Sequence, residues 1–187
     1  MAVFGVVPGV RIAAPRDAAT LREELREAVA VDDGPTIVRF PTGSVAPDLP
    51  AVRRIGTVDV LAESSSNDVL LVAVGAFGHL GVEVAARVAE QGYGVTVVDP
   101  RWVRPVPAEL LSLAAEHRLV VTVEDGVRTG GVGDALAQAM RDAGIRVPLR
   151  DLGVPAAWHP HGTRAQILSD LGLTAQDVAR DITGWLS

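Results

Sequence analysis

Strand-length apolar runs at 69–74, 94–98 and 119–124 alternate with helical periodicity at 79–91, 107–117 and 131–143. Val69-Leu70-Leu71-Val72-Ala73-Val74 has no polar position on either side of a pleat, so a strand built from it must be covered on both faces. Strands of that kind joined by helices pair in parallel through right-handed crossovers. The spacing predicts an α/β fold: a three-layer parallel or mixed sheet, with a further strand at 147–152 and closing helices at 163–171 and 174–186. Hydrophobic residues make up 48 % of the chain but aromatics only 4 %, which suits thin Val- and Ala-rich layers rather than bulky cores.

A smaller unit precedes this pattern. Residues 10–14 read as a strand ending at Pro15. Asp17 is the N-cap of a helix running to about Val31, with Leu21, Leu25, Ala28 and Val29 on its apolar face. Thr36 to Phe40 reads as a second strand, closed by Pro41-Thr42-Gly43. A β-α-β unit of that size buries too little surface to fold well alone. Residues 46–66 read as a linker, with an edge strand near 55–61. The expected division is thus 1–45, 46–66 and 67–187.

Formal net charge is −6, from 17 basic and 23 acidic residues, which argues against a nucleic-acid partner, since phosphate backbones require clustered Lys and Arg. The chain has no Cys, so disulfides, thiolate metal sites and a Cys nucleophile are excluded. No basic start followed by an apolar stretch marks residues 1–15, and no run approaches the length of a membrane span. The expectation is a cytoplasmic protein with no membrane partner.

Several motifs invite chemistry. Gly75-x-x-Gly78-x-x-Gly81 follows a strand and opens a helix, but its spacing departs from the dinucleotide fingerprint G-x-G-x-x-G. Close helix packing is the favoured reading over a nucleotide site, in which Asp99 would hold the ribose. Gly130-Gly131-x-Gly133 starts another helix, whose free N–H groups could bind an anion, although Glu124 and Asp125 just upstream would repel one. His79, His117, His159 and His161 show no metal spacing on a helix, and His159-Pro160-His161 reads as a loop. No G-x-S-x-G or Walker A motif occurs. Arg39 ends a strand at the carboxyl edge of a parallel unit, where ligands gather; by residue type a structural ion pair fits it equally well.

Four stretches carry a family resemblance: Val7-Pro8-Gly9-Val10-Arg11-Ile12-Ala13-Ala14-Pro15-Arg16-Asp17, Asp33-Gly34-Pro35-Thr36-Ile37-Val38-Arg39-Phe40-Pro41, Asp99-Pro100-Arg101-Trp102-Val103, and Val121-Thr122-Val123-Glu124-Asp125-Gly126. With Leu171-Gly172-Leu173-Thr174-Ala175 they make the chain resemble the 1-deoxy-D-xylulose-5-phosphate synthase family, transketolase-like enzymes dependent on thiamine diphosphate. The resemblance implies a transketolase C-terminal domain at 67–187, preceded at 1–45 by a β-α-β remnant of the pyrimidine-binding domain. It implies a parent transferase that condenses pyruvate with glyceraldehyde 3-phosphate and releases carbon dioxide, supplying isoprenoid (terpenoid) and thiamine biosynthesis. Thiamine diphosphate and magnesium are the parent's cofactors.

The same resemblance places the diphosphate and magnesium on a Gly-Asp-Gly…Asn motif in a domain this chain lacks, since no Gly-Asp-Gly occurs. The expectation is a C-terminal portion with no catalytic, cofactor or metal residues of its own, inactive alone. Its partners would be the missing N-terminal domains or a second copy in a homodimer. In the family, a basic residue after the strand-ending aromatic-Pro contacts the sugar phosphate; the matching position here is Thr42, with Arg39 nearby. Two other readings stand beside this one: the C-terminal part of another thiamine enzyme (transketolase or a 2-oxo acid dehydrogenase β-subunit), or a small nucleotide-binding regulatory module.

Overall fold

Six α-helices and nine strands in two sheets organise residues 3–187, which the computed structural model describes. The strands are β1 (Arg11–Ala13), β2 (Thr36–Val38), β3 (Arg53–Ile55), β4 (Val58–Ala62), β5 (Val69–Ala73), β6 (Val95–Asp99), β7 (Trp102–Arg104), β8 (Leu119–Val127) and β9 (Leu149–Val154). The helices are α1 (Ala18–Val29), α2 (Gly78–Ala89), α3 (Ala108–Glu116), α4 (Val132–Asp142), α5 (Arg164–Asp170) and α6 (Ala175–Leu186).

The larger sheet has the order β3-β4-β6-β5-β8-β9. β6, β5, β8 and β9 are parallel, as two-faced burial predicts, whereas β4 runs antiparallel to both of its neighbours, β3 and β6. Along β5, Val69, Leu71 and Ala73 join a core with Val84 and Val88 of α2 and Val178 and Ile182 of α6. Leu70 and Val72 point the other way, toward Leu110 of α3 and Leu136 and Met140 of α4. This is the predicted three-layer arrangement.

Three local expectations change. The strand expected at the edge near 55–61 is β4, and β3 takes the edge beside it. The segment between the expected strand at 94–98 and the expected helix at 107–117 contains a strand: β7 pairs antiparallel with β1, Ala13 opposite Trp102, and completes a second sheet of order β2-β1-β7. The burial of α1 is also rotated. Asp17 caps it as expected, accepting from the Thr20 N–H at 2.8 Å, but the buried positions are Thr20, Glu24 and Ala28. Leu25 and Val29 are 44 % and 85 % exposed. A period-3.6 stripe shows that a face exists; it does not say which stripe is buried, and here Arg101 and Trp102 hold the helix by bonding Glu27 beside the buried positions.

The glycines at 75–81 serve packing. Gly75 has φ +55, and a Cβ there would press on the Ala14 and Pro15 carbonyls at 2.9 and 3.3 Å. A Cβ on Gly81 would lie 2.7 Å from the Ala73 Cβ and 2.9 Å from a Val97 methyl. Close packing thus accounts for both glycines without a ligand.

Candidate functional site

The carboxyl ends of β1 and β2 open onto a cleft of about 520 Å³. Arg16 and Asp17 come from the turn after β1, Phe40 to Ala46 from the loop after β2, Ala76 from the turn after β5, and Arg164 from the start of α5. Thr42 therefore lies in the cleft, on an exposed loop. Arg39 does not line it. Its backbone N–H donates to the Ala13 carbonyl at 2.9 Å, and its guanidinium lies beside Gly126, within 3.7 Å of where a Cβ would stand.

The cleft floor is built on a buried ionic junction. The Arg16 side chain is 4 % exposed; its Nη1 donates to Asp59 Oδ2 at 2.7 Å and Asp99 Oδ2 at 2.9 Å, and its Nε donates to the Leu49 carbonyl at 2.9 Å. Arg101, in the left-handed region at φ +58, lies beneath α1 and donates to Glu27 at 2.6 Å. The Trp102 indole N–H reaches the other Glu27 oxygen at 2.6 Å. The Asp-Pro-Arg-Trp stretch thus fastens α1 and β1 to the larger sheet. This geometry bears out the packing reading over the nucleotide one: Asp99 is fully buried and gives its carboxylate to Arg16, leaving nothing for a ribose.

Burial raises two carboxyls of this junction. It pushes Asp99 up to about 6, against the attraction of Arg16. Glu24, fully buried with neither oxygen hydrogen-bonded, is pushed up to about 9, first by burial and then by the charge of Asp99. Asp17 is also desolvated, yet hydrogen bonds from the Leu49 and Thr20 N–H groups hold it below the ordinary carboxylate range.

The second glycine cluster finds its anion within the chain. Glu124, 2 % exposed, accepts from the Val132 N–H at 2.7 Å and the Gly133 N–H at 3.3 Å, so its carboxylate caps α4. The carboxylate predicted to repel a ligand here occupies the ligand's place, which satisfies free N–H groups and complements the helix dipole. A Cβ on Gly131 would strike that carboxylate. Gly131→Ala should therefore cost about 1–3 kcal/mol, read as a lower urea midpoint at unchanged slope; an unchanged midpoint would show that the cap can move aside.

Among the described residues no group of three His, Cys, Asp or Glu could hold a metal ion. His79, His117 and His159 contact the carbonyls of Pro47, Leu113 and Pro155. Sequence reasoning missed Arg16, Glu24, Asp59 and Arg164. The one available signal was Val58-Asp59-Val60, a charge inside an apolar run that only burial with a partner explains.

Residues 56–178 match the family model described as "Transketolase, C-terminal domain". The chain belongs to the transketolase C-terminal domain family. This transketolase domain and the β-α-β unit before it are 63 % identical over 190 residues to a 1-deoxy-D-xylulose-5-phosphate synthase of Saccharopolyspora erythraea and 59 % identical over 189 residues to that of Rhodococcus jostii. All of this chain is covered in both, but only 30 % and 29 % of those proteins; it matches their C-terminal part. Among solved structures, a chain described as a split-gene transketolase, inactive β4 tetramer, matches at TM-score 0.86 and 28 % identity, covering 99 % of this chain and 60 % of that one. A transketolase of Campylobacter jejuni shares the fold at TM-score 0.73 and 15 % identity, covering 97 % of this chain and 27 % of that one.

Proposed function

We propose that this chain is the C-terminal part of a cytoplasmic, homodimeric 1-deoxy-D-xylulose-5-phosphate synthase, a transferase that condenses pyruvate with glyceraldehyde 3-phosphate and releases carbon dioxide for isoprenoid and thiamine biosynthesis. Residues 1–45 are then the end of the pyrimidine-binding domain and 67–187 the bulk of the transketolase C-terminal domain, whose larger sheet also takes β3 and β4 from the connection at 46–66. The observation that carries this reading is 63 % identity along the whole chain to a synthase of that name; the 28 % to a split-gene transketolase is the weaker match. The surface supports it: β2 ends a sheet with one neighbour among the described strands, and Leu25, Val29 and Phe40 are exposed around it, as expected where a further domain packs.

Thiamine diphosphate with magnesium supplies the electron sink for decarboxylating pyruvate. The described residues do not fit the metal-diphosphate end of that cofactor, because no ligand cluster is present and no Gly-Asp-Gly occurs in the chain. The part played by this chain is to shape one wall of the substrate cleft, with Thr42 at the position where a sugar phosphate would be met; Arg39 stands behind that wall, beside Gly126.

Alone, the chain should give no product from pyruvate, glyceraldehyde 3-phosphate, thiamine diphosphate and magnesium. A chimera in which it replaces the matching C-terminal part of the Saccharopolyspora synthase should turn over. Product from the isolated chain, or a folded but dead chimera, overturns the proposal. In the chimera, Thr42→Arg should lower KM for the phosphorylated aldehyde severalfold by restoring a charge-assisted contact; an unchanged KM would remove position 42 from the phosphate site.

A further inference from the structure

We propose that Arg164 is the anion-contacting residue of the cleft, and that the group it takes is the phosphate of a small monoester seated against the Phe40–Ala46 loop. The inference rests on reading this cleft as a substrate site, and it assigns the charge that Thr42 lacks to a residue on a different element.

Three observations carry it. First, the other ionic groups lining the cleft are spent. Arg16 is buried and divided between Asp59, Asp99 and the Leu49 carbonyl, while Asp17 is buried and divided between two backbone N–H groups. Second, Arg164 remains 47 % exposed at the same cleft. Third, its guanidinium is already oriented. One nitrogen donates to Asp125 at 2.6 Å, and the group lies 5.7 Å over the Phe77 ring. Phe77 itself is buried, so the platform is fixed. Thr163 caps α5 through Gln166 and so fixes the backbone from which Arg164 departs.

A guanidinium has five N–H donors in a planar fork. Asp125 engages one nitrogen, and the remaining donors can meet a planar pair of oxygens from the cleft side. Asp125 also offsets part of the positive charge. A dianionic phosphate can still be attracted where a monoanionic carboxylate gains little. Thr42 and Ser44 line the cleft with hydroxyls from the facing loop, so a phosphate would meet charge on one element and neutral donors on another.

The test is an NMR titration of the 187-residue chain with glycerol 3-phosphate, inorganic phosphate and pyruvate. Glycerol 3-phosphate should give saturable shifts of the Thr42, Gly43 and Ser44 amides and of the Arg164 Nε–H. Arg164→Gln should weaken binding about tenfold, the usual effect of losing a hydrogen bond to a charged group. Arg164→Lys should recover part of it, and both variants should melt with the parent because the side chain is exposed. Binding that survives Arg164→Gln, or no saturable shift in the parent, overturns the assignment. Inorganic phosphate binding as well as the ester, or pyruvate binding better, overturns the monoester class. A negative titration leaves family membership and chimera turnover untouched, whereas a dead chimera with intact ester binding undoes the functional reading instead.

Discussion

Arg16→Met should be the most destabilising single change in this chain, costing about 3–5 kcal/mol. The side chain lies beneath the cleft, and two fully buried carboxylates, Asp59 and Asp99, close on one of its nitrogens at 2.7 and 2.9 Å. Removing the cation leaves those carboxylates desolvated. Arg54 still reaches Asp59 from the surface side, but Asp99 keeps only the Arg101 backbone N–H at 3.0 Å. The magnitude therefore comes from an orphaned charge more than from a lost attraction. A domain of this size has about 5–15 kcal/mol in total, so the loss should be plain as a large fall in the urea midpoint. Adding Asp99→Asn to Arg16→Met should recover part of it, since the orphaned charge is then gone. Arg16→Lys should fall between, because an ammonium cannot serve two carboxylates and the Leu49 carbonyl in one plane. If Arg16→Met unfolds within about 0.5 kcal/mol of the parent, water must reach the junction and the buried-charge argument fails.

The same junction marks where sequence reasoning stopped. Val69 to Val74 announces a strand covered on both faces, and Asp17 and Thr174 announce helix starts, because each signal is local: a period, a cap, a run of β-branched residues. What decides the burial of α1 is not local. Glu24 and Glu27 look like ordinary surface positions until Arg101 and Trp102 arrive from 74 and 75 residues away. Likewise β7 has three residues and two prolines in the stretch around it; it becomes a strand because β1 offers an edge for it. The glycine turns were legible as turns, but their occupants were not. Gly131 is open because Glu124 folds back onto α4, and Gly75 because the Ala14 and Pro15 carbonyls lie against it. Thr42 was placed by its motif and does line the cleft, while Arg164, 122 positions further on, had no motif to announce it.

Glu24→Gln should stabilise the chain at and above neutral pH. The Glu24 carboxyl has an ordinary value of 4.5 and is pushed up to about 9 in the fold. Arg101 Nε, at 3.8 Å, is too far to bond it. A folded-state value above the unfolded one means that the folded chain holds a proton the unfolded chain releases. Stability from this group is therefore fully present below about pH 4.5, falls as pH rises, and reaches its floor near pH 9. At about 1.4 kcal/mol per pH unit traversed, the penalty at pH 7 is on the order of 3 kcal/mol. Asp17 and Asp59 act in the opposite sense. Their folded values lie below the ordinary 3.8, so their contribution is present at neutral pH and is lost only as pH falls below that value. Glutamine copies the shape and neutrality of the protonated acid and cannot ionise. The difference between parent and Glu24→Gln therefore reports the ionisation of Glu24 together with its coupling to Asp99. That difference should be near zero at pH 4.5 and should grow steadily toward pH 9 in urea unfolding series. Because neither Glu24 oxygen has a hydrogen-bond partner, Glu24→Leu should follow Glu24→Gln rather than the parent. Parallel pH curves for parent and Glu24→Gln would mean that the carboxyl ionises freely under α1. Water would then have to enter the contact between that helix and the Asp-Pro-Arg-Trp turn, and the ionic junction could not be the dry fastening on which the cleft floor rests.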